Sequence, residues 1–149
     1  TYKIVDMSLN FMLIDDNGID LFVNQKFIEK VVDQAEIIAF IRATKAIDFL
    51  RTLKDRPVSD FPFIPDFILL DINMPEMDGF DFLNEYCTLE KGLFDKTKIY
   101  MISSSTSLKD RIDADRHSAC DGFISKPLSR EKVLRILNGA GPVQKQYQL

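Results

Sequence analysis

Cysteine is scarce in this chain, histidine scarcer still, and neither basic clusters nor long apolar runs occur. The two cysteines, Cys87 and Cys120, are too few and too far apart for a disulfide or zinc framework. Both read as reduced and packed, the common state of a free cysteine. His117 is the only histidine. It falls near a predicted helix end, where a cation suits the helix dipole, so a surface position is expected. Lys and Arg number 19 against 23 Asp and Glu, a net charge of −4, and they are scattered along the chain. That pattern excludes the basic footprint of a nucleic-acid binder. No apolar run approaches the ~18–20 residues of a membrane span, and the opening TYKIVDMSLN has no signal-peptide pattern. There is no internal repeat and no low-complexity segment. A cytoplasmic protein that engages neither nucleic acid nor membrane is the economical expectation.

Hydrophobic residues make up 46% of the 149, enough to build a core. The length suits one domain over residues 1–149, with a core from about 9 to 139. The tail from 140 to 149 is too short to be an output domain. Five short apolar runs each precede a segment with helical spacing. They are Leu9–Ile14, Glu36–Ile41, Phe67–Asp71, Lys98–Ser103 and Gly122–Ser125. After the first, Ile19, Val23, Phe27 and Val31 mark one helical face. The second is followed by Ala46, Phe49, Leu50 and Leu53, and the third by a helix from about Gly79 through Leu89. A polar helix near Ser107–His117 follows the fourth run, and Val133, Leu134, Ile136 and Leu137 mark the last helix. Runs one, three and four show little alternation, as expected of strands buried on both faces of a parallel sheet. The fivefold βα alternation predicts a doubly wound five-stranded parallel sheet with helices on both faces. The stretch Asp55–Asp66, with Pro57, Pro62 and Pro65, reads as a long surface connection, and Gly139 and Gly141-Pro142 end the last helix.

In an open α/β sheet, ligands bind at the carboxyl ends of the strands. The polar residues gather there: Asp15 and Asp16 after the first run, Asp71 after the third, Ser103 after the fourth and Lys126 after the fifth. Three carboxylates brought together repel unless a cation sits among them, and a hard cation with oxygen ligands such as Mg²⁺ meets that need. Lys126 adds a compact positive charge suited to a phosphate oxygen, and Ser103 a hydroxyl donor. Together they describe a phosphoryl site around a carboxylate able to act as nucleophile. Taken alone, the Asp15/Asp16 pair reads equally well as a helix cap with a solvated neighbour.

The strings Phe11-Met12-Leu13-Ile14-Asp15-Asp16, Leu69-Leu70-Asp71-Ile72-Asn73-Met74-Pro75-Glu76-Met77-Asp78-Gly79, Ile102-Ser103-Ser104 and Phe123-Ile124-Ser125-Lys126-Pro127 resemble the four signature blocks of response-regulator receiver domains. The resemblance covers roughly Leu9 to Gly139. It implies a flavodoxin-like sheet of order 2-1-3-4-5 and a phosphorelay signalling role, not an enzyme's. It implies that Asp71 accepts a phosphoryl group from a sensor histidine kinase or a histidine phosphotransfer protein. Asp16, Asp71 and the Asn73 backbone carbonyl would hold Mg²⁺, with Asp15 acting through a metal-bound water. Lys126 would pair with Asp71 and then with the phosphoryl oxygens. Ser103 would move onto the phosphate and Phe123 would rotate inward. The Lys126-Pro127 bond would be cis. The readout would be the face of the fourth helix, fifth strand and fifth helix, toward a protein target as a monomer or a weak phosphorylation-dependent dimer.

Three positions depart from the common pattern. Ser103 stands where Thr is more frequent, keeping the hydroxyl without the rotamer-limiting methyl. Ser104 stands where Ala is usual. Ser118-Ala119-Cys120 replaces a frequent Ala-Gly-Ala, removing the easiest left-handed helix end from that turn. None removes a reacting group. Two rival functions share some of these features. A phosphohydrolase using an aspartyl-phosphate would place its nucleophile after the first strand with a second Asp two residues on, a spacing that Asp15-Asp16-Asn17-Gly18 lacks. A phosphate-independent receiver acting only as an interaction module would have no need of the complete pocket.

Overall fold

The computed structural model describes residues 5–54, 63–89 and 92–139, with side chains from residue 8 onward. Ten elements alternate along it. The strands are β1 (Val5–Ile14), β2 (Val32–Phe40), β3 (Phe67–Leu70), β4 (Lys98–Ser103) and β5 (Gly122–Ser125). The helices are α1 (Gly18–Val31), α2 (Ala43–Leu53), α3 (Gly79–Tyr86), α4 (Leu108–Arg116) and α5 (Arg130–Leu137). The strands form one parallel sheet in the order β2-β1-β3-β4-β5, the doubly wound arrangement predicted.

The weak alternation of the central strands has a direct cause, because successive side chains enter two different cores. Phe11, Leu13, Leu69, Tyr100, Ile102 and Ile124 join the core that α1 and α5 cover. Met12, Ile14, Ile68, Leu70, Ile99, Met101 and Phe123 join the core that α2 and α3 cover. On α2, Ala43, Ala46, Ile47, Leu50 and Leu53 are buried, a single stripe at helical spacing. α4 is the exception. Only Ala114 is buried there, and Leu108 lies exposed.

Three boundaries differ from the sequence expectation. α1 runs into β2 with no intervening loop, so β2 begins at Val32 rather than Glu36 and stops at Phe40. Asp33 and Gln34 disguise its start as a turn, yet an edge strand tolerates them because one side faces solvent. β1 begins at Val5, before Leu9, with a register shift against β2 between Val5 and Ser8. α3 stops at Tyr86, and the Thr88 hydroxyl donates back to the Glu85 carbonyl just beyond it. Residues 55–62 of the proline-rich connection, with Pro57, Phe61 and Pro62, lie outside the described residues, as do Gly141, Pro142 and the tail from 143.

The turn before β5 closes without a left-handed residue. Among the described non-glycine residues only Glu76 has a positive φ, 69°. Instead His117 Nδ1 accepts the Ala119 N–H at 3.1 Å, and the Cys120 N–H donates to the His117 carbonyl at 3.1 Å. The histidine does the work of the absent glycine.

Candidate functional site

Hydrogen bonds at the carboxyl ends of the strands set the site's residues side by side. The Asp15 N–H donates to the Phe40 carbonyl at 3.0 Å, the Asp71 N–H to Ile14 at 2.9 Å, and the Lys126 N–H to Ser103 at 2.9 Å. Thus the end of each strand places a polar residue against its neighbour. Asn17 then caps α1, its side chain accepting from the Ile19 and Asp20 N–H groups, so the chain leaves Asp15-Asp16 in a fixed direction.

The result is an acidic cluster with one lysine. Single carboxylate oxygens of Asp15, Asp16 and Asp71 lie within 4.8 Å of one another. Asp15 and Asp71 are buried and Asp16 is exposed. Both Asp15 oxygens are engaged: Oδ1 accepts the Asn17 N–H at 2.9 Å, and Oδ2 pairs with Lys126 Nζ at 2.7 Å. Burial and the nearby charge of Asp15 raise the Asp71 carboxyl from the usual 3.8 to about 6, against the opposing pull of Lys126. Burial pulls the Lys126 ammonium down, but its hydrogen bonds to Asp15 and Asp20 outweigh that and hold it above the ordinary lysine range.

Around this cluster, Ser103 is buried, and its hydroxyl accepts the Ser105 N–H at 3.1 Å. Ser105 in turn donates its hydroxyl to Asp110 of α4 at 2.8 Å. Phe123 is buried, with the Arg111 guanidinium 5.3 Å from its ring centroid. A cavity of about 120 Å³ between Phe123, Arg111 and Leu108 opens beside it. Asn73 is exposed on the loop after Asp71, and the Lys126-Pro127 peptide bond is cis.

The family model that matches residues 11–138 is that of the response regulator receiver domain. The chain belongs to this family. A response regulator receiver protein from Dyadobacter fermentans is 30% identical, with a TM-score of 0.72 over 87% of this chain and 94% of that one. A two-component response regulator from Cytophaga hutchinsonii is 25% identical, with a TM-score of 0.72 over 92% of this chain and 96% of that one. A two-component response regulator of Arabidopsis thaliana is 28% identical over 86% of this chain, which spans only 30% of that relative's length. Receivers are signalling phosphoacceptors rather than enzymes. They bind Mg²⁺ through an acidic cluster and interact with histidine kinases or phosphotransfer proteins.

In this receiver the lysine has the expected partner, Asp71, and two closer ones. Lys126 Nζ stands 3.5 Å from Asp71 Oδ1 but 2.7 Å from both Asp15 and Asp20. Strand order does not set these distances, since β3, which leads to Asp71, lies one strand nearer to β5 than β1, which leads to Asp15. Sequence reasoning missed Asp20. An acid in the first turn of a helix reads as a dipole partner, and nothing in the linear pattern says that β5 ends beside it. Among the described residues no helix is long and apolar enough to cross a membrane.

Proposed function

We propose that this receiver takes a phosphoryl group from a phosphohistidine onto Asp71 and signals by rearranging its α4-β5-α5 face toward a protein partner. One observation carries the reading. Asp71 sits buried at the end of β3 with two further carboxylates within 4.8 Å and an ammonium at 3.5 Å.

The donor set fits Mg²⁺. It consists of hard carboxylate oxygens, and a divalent cation offsets the cost of holding Asp71 charged where burial and the neighbouring Asp15 oppose it. Asp16 and Asp71 would hold the ion directly, with the Asn73 carbonyl beside them. Asp15, whose oxygens are already engaged, would act through water. When bound, the ion neutralises charge on the phosphoryl oxygens.

The remaining work belongs to the chain. An Asp71 oxygen attacks phosphorus in line, and the P–N bond to the donor imidazole breaks with its electron pair going to nitrogen. Lys126 turns from its carboxylates toward a phosphoryl oxygen. Ser103 donates its hydroxyl to the phosphate, giving up the Ser105 N–H, and Phe123 takes the space vacated. The Ser103–Ser105–Asp110 chain links that change to α4. Residues 9–139 form the one receiver core in this reading, and the donor is a cytoplasmic sensor kinase or phosphotransfer protein.

Intact mass after incubation with Mg²⁺ and acetyl phosphate tests it. A single Mg²⁺-dependent phosphoryl adduct, absent in Asp71→Asn and lost to alkaline hydroxylamine, is the expected result. A protein that binds neither Mg²⁺ nor beryllofluoride ends the reading.

A further inference from the structure

Lys126 is shared among three carboxylates, and the most accessible of them is on no strand. Asp20 lies in the first turn of α1, and its side chain is 37% exposed, against 4% for Asp15 and 10% for Asp71. Its Oδ2 nevertheless meets Lys126 Nζ at 2.7 Å, as close as the buried Asp15. Asn17 fixes that position, since the same cap that starts α1 accepts the Asp20 N–H at 3.1 Å.

We propose that Asp20 is a positioning residue that tethers Lys126 away from Asp71 and so sets how readily the lysine transfers to a phosphoryl oxygen. The inference rests on the phosphoacceptor reading above. An ammonium has three protons, and two are directed at Asp15 and Asp20. The third can face Asp71, 3.5 Å away, but to close to hydrogen-bond length on an oxyanion there the ammonium must draw back from one of these contacts. Asp15 is buried and also bound to the Asn17 N–H, so it is held. Asp20 is open to water, which can replace the lysine as its partner at small cost. The Asp20 contact is therefore the one that yields. Its strength opposes the phosphate-engaged state and favours the unmodified one, a population bias equal to its differential affinity for the two.

The charge pattern agrees. Asp15, Asp20 and Asp71 surround Lys126, and Asp16 lies within 4.8 Å of Asp15 and Asp71. A metal ion among Asp15, Asp16 and Asp71 leaves Asp20 outside its cluster and still opposite Lys126.

The test uses beryllofluoride with saturating Mg²⁺ as a probe of the phosphate-engaged state. Asp20→Asn keeps the side-chain shape and removes the charge, and should tighten beryllofluoride binding about three- to fivefold, the scale of a partly exposed ion pair. In a Lys126→Met background the same substitution should change nothing. No tightening in the Lys126 protein overturns the proposal. So does equal tightening in both backgrounds, which would mean simple repulsion between Asp20 and the anion. If Lys126→Met binds no probe, the Lys126 ammonium resonance in the Mg²⁺-loaded protein decides. It should move in Asp20→Asn, and an unmoved signal overturns the tether. A wild-type protein that binds no beryllofluoride at all defeats the phosphoacceptor reading instead.

Discussion

Gly79 lies so close to Asp71 that a methyl group on its Cα would stand 2.5 Å from the Asp71 carbonyl oxygen and 2.7 Å from Met101 Cε. The Gly79 N–H donates to the Ile72 carbonyl at 2.7 Å, so the start of α3 is pressed against the backbone that carries the Asp71 carboxylate. The capping box of Asp78 and Asp81 locks that start in place. A side chain at residue 79 must push backbone, which cannot swing aside as a flexible side chain would.

Gly79→Ala should therefore destabilise the protein by about 2–3 kcal/mol, the cost of overpacking a closed site, and weaken Mg²⁺ binding with it. Gly18→Ala is the internal control, because nothing lies within 4 Å of its added methyl. There the smaller unfolded-state entropy should leave stability unchanged or raise it by about 0.5 kcal/mol. Urea titrations of both variants measure the difference.

Asp71 makes the metal-free protein lose stability as pH rises. Its carboxyl is raised to about 6 in the fold by burial and by Asp15, against 3.8 ordinarily. Between those values the folded state holds a proton that the unfolded chain has released, so stability falls from about pH 4 through about pH 6. Above that the penalty is complete, on the order of 3 kcal/mol. Asp71→Asn should abolish this component, gaining most at pH 7.5 and little at pH 4. Saturating Mg²⁺ should flatten the slope in the wild-type protein. Equal slopes for the wild-type and Asp71→Asn proteins in EDTA would contradict the assignment.

The apolar runs located Asp15, Asp16, Asp71, Ser103 and Lys126 correctly at the strand ends, because β-strands fix both direction and spacing. The five strands were equally legible, since buried parallel strands leave apolar runs that survive reading in one dimension, while their order was implied by the family resemblance alone. What escaped were relationships across the chain that involve exposed residues. Asp20 faces Lys126 only because α1 and β5 meet at the pocket. β2 hides its start because an edge strand can afford Asp33 and Gln34. His117 replaces a glycine through its own ring nitrogen, a solution that no turn propensity describes.

Two aspartates far from the pocket extend the sheet at the opposite ends of the strands. Asp66 Oδ2 accepts the Asn10 N–H at 2.7 Å while its own N–H donates to the Asn10 carbonyl at 2.8 Å. Asp121 Oδ2 accepts the Ile99 N–H at 2.8 Å, and its N–H donates to the Ile99 carbonyl at 2.7 Å. Each carboxylate stands in for a backbone acceptor just before β3 or β5 begins. Asp66→Ala and Asp121→Ala should each cost about 1–2 kcal/mol, with the larger loss at the half-buried Asp66. Beryllofluoride affinity should stay within about twofold of wild type. A change in affinity beyond that would show that the two ends of the sheet are coupled.

Ser103 is expected to separate taking the phosphoryl group from transmitting it. Its hydroxyl is buried and serves the Ser105 N–H, and Ser105 holds Asp110 in the first turn of α4. It is 3.1 Å from the Ser105 nitrogen rather than bonded to Asp71, so Asp71 does not need it to act as a nucleophile. Ser103→Ala should therefore still form the acyl phosphate, with a rate within about tenfold of wild type, because one hydrogen bond of about 1 kcal/mol is lost. Its amide spectrum should respond differently. Beryllofluoride should shift the amides of Leu108–Arg116 in the wild-type protein and leave them nearly in place in Ser103→Ala. Ser103→Thr, which keeps the hydroxyl, should restore the shifts. If α4 responds fully in Ser103→Ala, the signal leaves the pocket by another route, and the next residue to test is Phe123, whose ring lies under Arg111 of the same helix.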